Sequence, residues 1–269
     1  MADLSAASVS DVQNFFKTYY APNNAVLVVA GDIDVAQAKQ MVRKYFAPIP
    51  RGPNPPKLAN MSVPTVVGRE QRVVVQDALA PAPRVYVAYR VPPAKDRRAE
   101  TVSILADIIG GGNSSRLDES LVRKQQVATN VSGFNIGLAD GADMLVFIAS
   151  GRPGSNPDSL ERALLAELAG ASSFTQSELD RARAQERFNF VNGLQFTGGF
   201  GGRADRLAEG WTFFRDPNHV NKVLGEFDKV TLDNLSAVAR ERLVPSNRVI
   251  LVYVPVKKAA SQTTTGGAN

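Results

Sequence analysis

Apolar and polar positions follow the same order in two distant stretches of the chain. Residues 8–34 read SVSDVQNFFKTYYAPNNAVLVVAGDID, and residues 231–254 read TLDNLSAVARERLVPSNRVILVYV. Each begins with a residue type that caps helices, continues with apolar residues at helical spacing, breaks at a Pro-x-Asn triplet and ends in an apolar run. The pattern predicts a helix, a turn and a strand in both places, with the first strand over residues 26–29.

The two stretches align without a gap when the first is shifted by 223 positions, from Pro22 to Pro245 and from Asn24 to Asn247. Two interpretations stay open. Any capped helix followed by a strand resembles another, whereas an internal duplication of a unit far longer than a solenoid repeat leaves the same signature. In the second case a full copy covers residues 69–256, and residues 1–50 are the C-terminal piece of another copy. The chain is then a fragment.

The rest of the pattern predicts an α+β protein. Prolines crowd residues 48–64, so residues 51–68 are expected to be an extended linker. Strands are predicted over 71–77, 84–91, 127–137, 143–151 and 247–255, and helices over 35–46, 97–109, 157–169, 175–193, 200–210, 217–226 and 231–243, with a short helix ending near Lys124. This order indicates an antiparallel-rich sheet with helices packed on one face. The tail 257–269 is expected to be disordered.

Composition narrows the function classes. The 269 residues are 44% hydrophobic, which is typical of a globular chain, and 31 basic against 26 acidic residues give a net charge of +5. The charges are interspersed along the helices, which argues against nucleic-acid binding. The absence of cysteine excludes disulfides and thiol chemistry. The longest apolar runs have strand length, so no membrane span is expected, and MADLSAAS lacks the features of a signal peptide.

The residues that most often carry chemistry are scarce. His219 is the only histidine, and a zinc site needs three or four nitrogen, sulfur or oxygen ligands, so no metal site is expected in this chain. The position of His219 after Asp216 and Pro217 is typical of a helix start. The glycine run in IIGGGNSSRLDESL follows a helix and lacks a Lys-Ser/Thr pair, so it fits neither glycine fingerprint of phosphate binding.

Taken together, four segments resemble one family. The segments that carry the resemblance are, in this order, YYAPNNAVLVVAGDID, LADIIGGGNSSRLDESLVRKQQVATNVS, FTQSELDRARAQ and VTLDNLSAVARERLVPSNRVILVYVP. With them the chain resembles the inverzincin metallopeptidases, the relatives of pitrilysin, insulysin and the mitochondrial processing peptidase. The resemblance implies a duplicated α+β domain pair around a peptide chamber. It also implies zinc held by H-x-x-E-H and a distal glutamate in the first half, which precedes this chain. The helix over 97–109 resembles the counterpart of the zinc helix, yet it carries no histidine.

The resemblance also implies candidate substrate-binding residues. Gly110, Gly111, Gly112 and Arg116 lie where the processing peptidase has a substrate-sensing glycine loop. Arg123 fills the arginine place of an Arg/Tyr substrate pair, but Thr129 or Asn130 stands where the tyrosine would be. The pair is broken here.

Two functions follow from the resemblance. The chain is either the C-terminal, non-catalytic half of a zinc metalloendopeptidase that closes the chamber over extended peptides, or an inactive subunit that serves assembly. In both cases this chain alone is expected to be inactive. Its expected partners are a peptide substrate and the N-terminal half or a homologous subunit, with a dimer expected. The resemblance implies a periplasmic location.

Overall fold

The computed structural model describes residues 2–57 and 63–256. The helices are α1 (Ala2–Ala6), α2 (Val9–Tyr19), α3 (Val35–Phe46), α4 (Ala99–Gly110), α5 (Pro157–Gly170), α6 (Gln176–Gly193), α7 (Arg203–Phe214), α8 (Val223–Asp228) and α9 (Leu232–Arg242). The strands are β1 (Gln71–Asp77), β2 (Arg84–Val91), β3 (Ala128–Asn135), β4 (Asp143–Gly151) and β5 (Arg248–Pro255). The predicted tail 257–269 and part of the predicted linker lie outside the described residues.

The strands form a five-stranded sheet in the order β1-β5-β2-β4-β3. Strand β2 pairs antiparallel with both β4 and β5, and β3 pairs antiparallel with β4. Only the pairing of β1 with β5 is parallel within the described sheet. The predicted antiparallel-rich α+β sheet is therefore confirmed.

The core lies on one face of this sheet. Alternate residues of β2 are buried because successive side chains of a strand point to opposite faces. Val87 stands opposite Phe147 on β4 and Ile250 on β5, and all three are buried. Helices α5 and α9 contact these strands, and α9 also contacts α4. Along α6, three apolar side chains are also buried, those of Leu179, Ala182 and Phe190.

The chain divides into two compact units. One comprises the described parts of residues 1–62 together with residues 185–228, and the other comprises residues 63–184 together with 229–256. The sheet belongs to the second unit. The bounds of these units differ from those of the predicted domain over 69–256, because residues 185–228 are grouped with the first unit. The domain over 69–256 stays a prediction.

Two predicted helices differ in their bounds. The helix predicted over 200–210 begins at Arg203, because Gly199 and Gly201 have positive φ angles that delay its first turn. The segment predicted as one helix over 217–226 is a 3₁₀ turn, Pro217–Asn221, followed by α8. The Asp216 side chain accepts from the amide of Asn218 and caps this separate turn.

The repeated pattern gives the same local structure twice. Ser8 and Thr231 each form a capping box with the residue three positions later, and α2 and α9 follow. Each helix leads into a 3₁₀ turn, Pro22–Asn24 or Pro245–Asn247, and then into extended backbone with φ and ψ of −124° and 150° at Ala25 and −119° and 149° at Arg248.

The prediction of a strand over residues 26–29 is wrong. This segment has no ladder partner among the described residues, whereas β5 lies between β1 and β2. A strand exists only where a neighbouring strand takes up its backbone hydrogen bonds.

Candidate functional site

The predicted glycine loop lies at the end of α4. The amide of Gly111 donates to the Asp107 carbonyl oxygen at 3.0 Å and ends the helix, and Gly112 follows with φ of 71°. Gly110 packs directly on the backbone of β3, where an added Cβ would lie 2.6 Å from the Gly133 nitrogen. Close packing and a left-handed turn therefore account for Gly110 and Gly112.

Arg116 is held by contacts within the protein. Its Nε donates to Glu178 Oε1 at 2.6 Å, and its Nη2 donates to Glu178 Oε2 at 2.8 Å and to the Ser173 carbonyl oxygen at 2.7 Å. The guanidinium also lies 4.8 Å from the ring centroid of Phe174. The hydrogen bond from Arg116 lowers the pKa of Glu178 to about 2. This geometry gives Arg116 a structural role, and its contact with substrate stays a prediction.

Arg123 is anchored beside the same loop. Its Nε donates to Asp118 Oδ2 at 2.8 Å, and its Nη2 donates to the Asn113 carbonyl oxygen at 2.7 Å. Thr129 instead donates from Oγ1 to the Ser150 carbonyl oxygen, across the β3–β4 ladder. No described contact joins Arg123 to Thr129, so its substrate role also stays a prediction.

A polar cavity of about 490 Å³ opens beside the glycine loop. Its walls carry hydroxyl groups and charges of both signs, from Ser114, Ser115, Arg116, Glu119, Ser120, Lys124, Glu167, Glu178 and Arg181. Ser120 donates to Glu167 at 2.5 Å, and Lys124 pairs with Glu119 at 3.3 Å. The cavity walls therefore offer both hydrogen-bond donors and hydrogen-bond acceptors.

The sequence reasoning missed Asp107. It is the one carboxylate in the apolar stretch 102–110 of α4. A single carboxylate in such a stretch is the feature of the sequence that could have indicated a buried titratable group. Burial raises the pKa of Asp107 to about 6. Its Oδ2 is buried and has no hydrogen-bond partner among the described residues.

The side chain of His219 packs against an aromatic ring. Its ring stacks on Phe214 with the centroids 3.8 Å apart and the planes 14° from parallel, and its amide donates to the Asp216 carbonyl oxygen. Burial lowers the pKa of His219. Within residues 2–57 and 63–256, no group of three or more histidine, aspartate or glutamate side chains is arranged to hold a metal. The donor set described does not fit a zinc centre.

The two copies of the repeated helix differ sharply in exposure. Val12 is 51% exposed and its counterpart Leu235 is 0% exposed. Val29 is 48% exposed, whereas its counterpart Val252 is fully buried in the sheet. The exposed apolar side chains of the first copy are those of Val9, Val12, Phe15, Phe16, Tyr20, Leu27 and Val29. Exposed apolar side chains in this number are typical of surfaces that contact a partner.

No helix in the described part of the chain is long and apolar enough to cross a membrane.

The chain matches the family described as Peptidase M16 inactive domain over residues 6–186. It is 26% identical over 204 residues to the zinc protease PqqE of Helicobacter pylori, a match that covers 72% of this chain and 44% of that protein. The crystal structure of a protease from Helicobacter pylori has a TM-score of 0.82 and 24% identity, covering 95% of this chain and 61% of that one.

The periplasmic protease PqqL of Escherichia coli has a TM-score of 0.73 and 17% identity, over 95% of this chain and 29% of that one. At these identities the two structures show a shared fold alone. The chain spans about half the length of the curated relatives that it matches.

Proposed function

Because this chain belongs to the Peptidase M16 inactive domain family, we propose that it closes a peptide-binding chamber together with the rest of a zinc-binding half. It is the inactive domain of a zinc protease-like protein, and the predicted resemblance to this family is confirmed. The reaction proposed for the assembled protein is hydrolysis of extended peptides.

The exposure difference between the two copies of the repeat carries this proposal. In the second copy, α9 and β5 pack against α4 and β2 and are buried. In the first copy, α2 and the turn Pro22–Asn24 repeat the local structure of α9 and Pro245–Asn247, but residues 25–31 pair with no described strand. Apolar side chains of α2 and of residues 25–31 are exposed. A homologous half that supplies a helix and strands to this surface would remove it from water and so stabilise the assembly.

Each half has a different task in the proposed mechanism. If zinc is bound in the catalytic half, it would supply the lowered water pKa that hydrolysis needs. The inactive half supplies walls that exclude bulk water and polar groups that hold the substrate main chain. The cavity beside the glycine loop, together with Gly110, Gly111, Gly112, Arg116 and Arg123, is the surface proposed to contact the peptide. Such contacts raise the rate only if they strengthen in the transition state.

Metal analysis and a fluorogenic peptide assay test the proposal. The 269-residue chain is expected to bind no stoichiometric zinc and to cleave no peptide. The same chain joined to the zinc-binding half is expected to cleave peptides in a chelator-sensitive manner. Cleavage by the 269-residue chain alone contradicts the proposal.

Assembly without catalysis is the second candidate function. The broken Arg/Tyr pair favours it, because Arg123 is bound to Asp118 and Asn113, and Thr129 or Asn130 stands where the tyrosine would be. An assembled protein that contains both halves, lacks zinc and has no peptidase activity supports this alternative. A reading frame without H-x-x-E-H upstream of residue 1 leads to the same conclusion.

We also propose the domain organisation and location that the resemblance implies. Residues 1–50 form the end of the zinc half, residues 51–68 link it to residues 69–256, and limited proteolysis is expected to cut first between residues 48 and 64. A first cut within residues 97–193 contradicts this boundary. The fold shared with a periplasmic protease supports a periplasmic location, which cell fractionation tests.

A further inference from the structure

Asn247 works as a clamp at the end of α9. Its Nδ2 donates to the Arg242 carbonyl oxygen at 2.9 Å, five residues earlier, and to the Arg90 carbonyl oxygen of β2 at 2.8 Å. Its Oδ1 accepts from the Val67 amide at 3.1 Å. The side chain is 0% exposed. One amide thus ties the helix end to the neighbouring strand and to the segment that enters β1.

Asn24 has the same place in the first copy. Its Nδ2 donates to the Tyr19 carbonyl oxygen at 2.9 Å, again five residues earlier. Its amide donates to the Ala21 carbonyl oxygen, just as the Asn247 amide donates to that of Val244. Asn24 is exposed, and among residues 2–57 and 63–256 its side chain has no counterpart of the bonds to Arg90 and Val67.

We propose that Asn24 is the residue that sets the docking register of the zinc-binding half, an inference that rests on the proposed function above. The second N–H of its Nδ2 donates to a strand carbonyl that stands where Arg90 stands in β2. Its Oδ1 accepts from an amide that stands where Val67 stands, four residues before the first strand. The occupant is therefore a copy of the unit formed here by residues 63–110, and residues 25–31 become a central strand of its sheet.

The chemistry of an amide makes this contact selective. A side-chain amide that is buried without partners loses its hydrogen bonds to water, which costs stability. The two free groups of Asn24 are a donor and an acceptor, so only a strand and an entering segment that present the complementary pair satisfy both. A sheet docked one residue out of register turns its apolar side chains to the wrong face and leaves the amide unpaired.

Hydrogen exchange in the longer polypeptide, which joins the zinc-binding half to this chain, tests the proposal. The amides of residues 25–31 are expected to exchange at least about 100-fold more slowly there than in the 269-residue chain, as expected for a central strand. Asn24→Ala is expected to reduce this protection by at least tenfold. Asn23→Ala is the matched control, because Asn23 instead bonds to Gly52 and Pro53, and it is expected to leave the protection within threefold.

The outcomes separate this inference from the proposed function. If residues 25–31 of the unmodified longer polypeptide exchange freely, the docking of the two halves is itself wrong. If they are protected and Asn24→Ala leaves that protection unchanged, the docking stands and the role of Asn24 is overturned. If the longer polypeptide with Asn24→Ala does not fold, the same substitution is made in the 269-residue chain. The melting temperature of that variant is then compared with the melting temperature of the unmodified 269-residue chain. An unchanged value there supports the proposal, and a loss as large as that of Asn247→Ala overturns it.

Discussion

The guanidinium of Arg116 faces the carboxylate of Glu178 edge to edge, with Nε and Nη2 at 2.6 and 2.8 Å from the two oxygens. Glu178 also accepts from the amide and hydroxyl of Thr175 and so completes the capping box of α6. The pair therefore joins the loop after α4 to the start of α6. A residue predicted from the resemblance to contact substrate is thus placed where its loss changes stability.

Arg116→Ala is expected to lower the free energy of unfolding by roughly 2 kcal/mol near pH 7, because a mostly buried carboxylate loses its partner. Urea titration of the 269-residue chain measures this. Arg181→Ala is the control, since Arg181 is exposed on the same cavity and its removal is expected to cost less than about 0.5 kcal/mol. Weaker peptide hydrolysis by the assembled protein, with stability unchanged, would instead support a substrate contact.

The same pair predicts a pH dependence. The pKa of Glu178 is about 2 in the folded chain, below its ordinary value of 4.5. Because the pKa of Glu178 is lowered by folding, its ionised carboxylate adds to the free energy of unfolding above about pH 5. This contribution is lost as the pH falls toward 2. Urea midpoints measured from pH 7 to pH 2.5 are expected to fall less steeply in Glu178→Gln than in the unmodified chain. Equal slopes contradict the ionic role of this pair.

The pKa of Asp107 is shifted in the opposite direction to that of Glu178, so its effect on stability has the opposite pH dependence. Burial raises its pKa from 3.8 to about 6, so the folded chain binds a proton more tightly than the unfolded chain does. The contribution of Asp107 to stability therefore decreases as the pH rises from about 4 to 6. Asp107→Asn is expected to be more stable than the unmodified chain at pH 7.5 by about 1–2 kcal/mol and to lose this advantage at pH 4. An advantage that does not change with pH contradicts the assignment.

Gly110 permits the contact between α4 and β3. A Cβ there would lie 2.6 Å from the backbone of Gly133, which cannot move without disturbing the sheet. Gly110→Ala is expected to cost about 2 kcal/mol in thermal or urea unfolding. Gly170→Ala is the control, because open space surrounds Gly170 and a change within about 0.5 kcal/mol is expected. Similar costs for both variants contradict a packing role for Gly110.

Leu27 and Ile250 are counterparts in the two copies, one exposed and the other buried. In the 269-residue chain, Ile250→Ala is expected to cost about 3 kcal/mol, whereas Leu27→Ala is expected to cost less than about 0.5 kcal/mol. In the longer polypeptide both variants are expected to be costly, because the proposed docking buries Leu27. Denaturant unfolding measures both contexts. A large cost of Leu27→Ala in the 269-residue chain contradicts the exposure that the structure shows.

The bare apolar surface of α2 predicts self-association of the isolated 269-residue chain. Light scattering across a range of concentrations is expected to show a rising mean mass. Phe15→Glu is expected to reduce this association, since it places a charge in the middle of the apolar surface. Gln13→Glu changes the net charge equally on the same helix and is the control. Association that both variants reduce to the same extent points to net charge and not to the apolar surface.

Much of the fold could be predicted from local patterns. Alternation located β2 and β4 and helical spacing located α4, α6 and α9, because burial of one face leaves its period in the sequence. The capping residues Ser8 and Thr231 marked the starts of α2 and α9 correctly. These features depend on neighbours within a few positions, which a single sequence contains.

The tertiary structure decided which elements pair with or pack against one another. The apolar run of residues 26–29 has the composition of a buried strand, yet only a neighbouring strand turns such a run into one, and none of the described strands pairs with it. The assignment of residues 185–228 to the first unit also depends on contacts between residues far apart in the chain.

The same division holds for the candidate site. The sequence by itself determined that a zinc centre needs ligands beyond one histidine, since the donor types are counted directly from it. Only the tertiary structure showed that Arg116 is paired with Glu178, 62 positions later, and that Asp107 is buried. It also showed that Asn24 and Asn247, which have the same place in the local motif, differ in burial and in hydrogen-bond partners. Burial and long-range pairing are properties of surroundings, and identical local sequence patterns acquire them only from the elements packed against them.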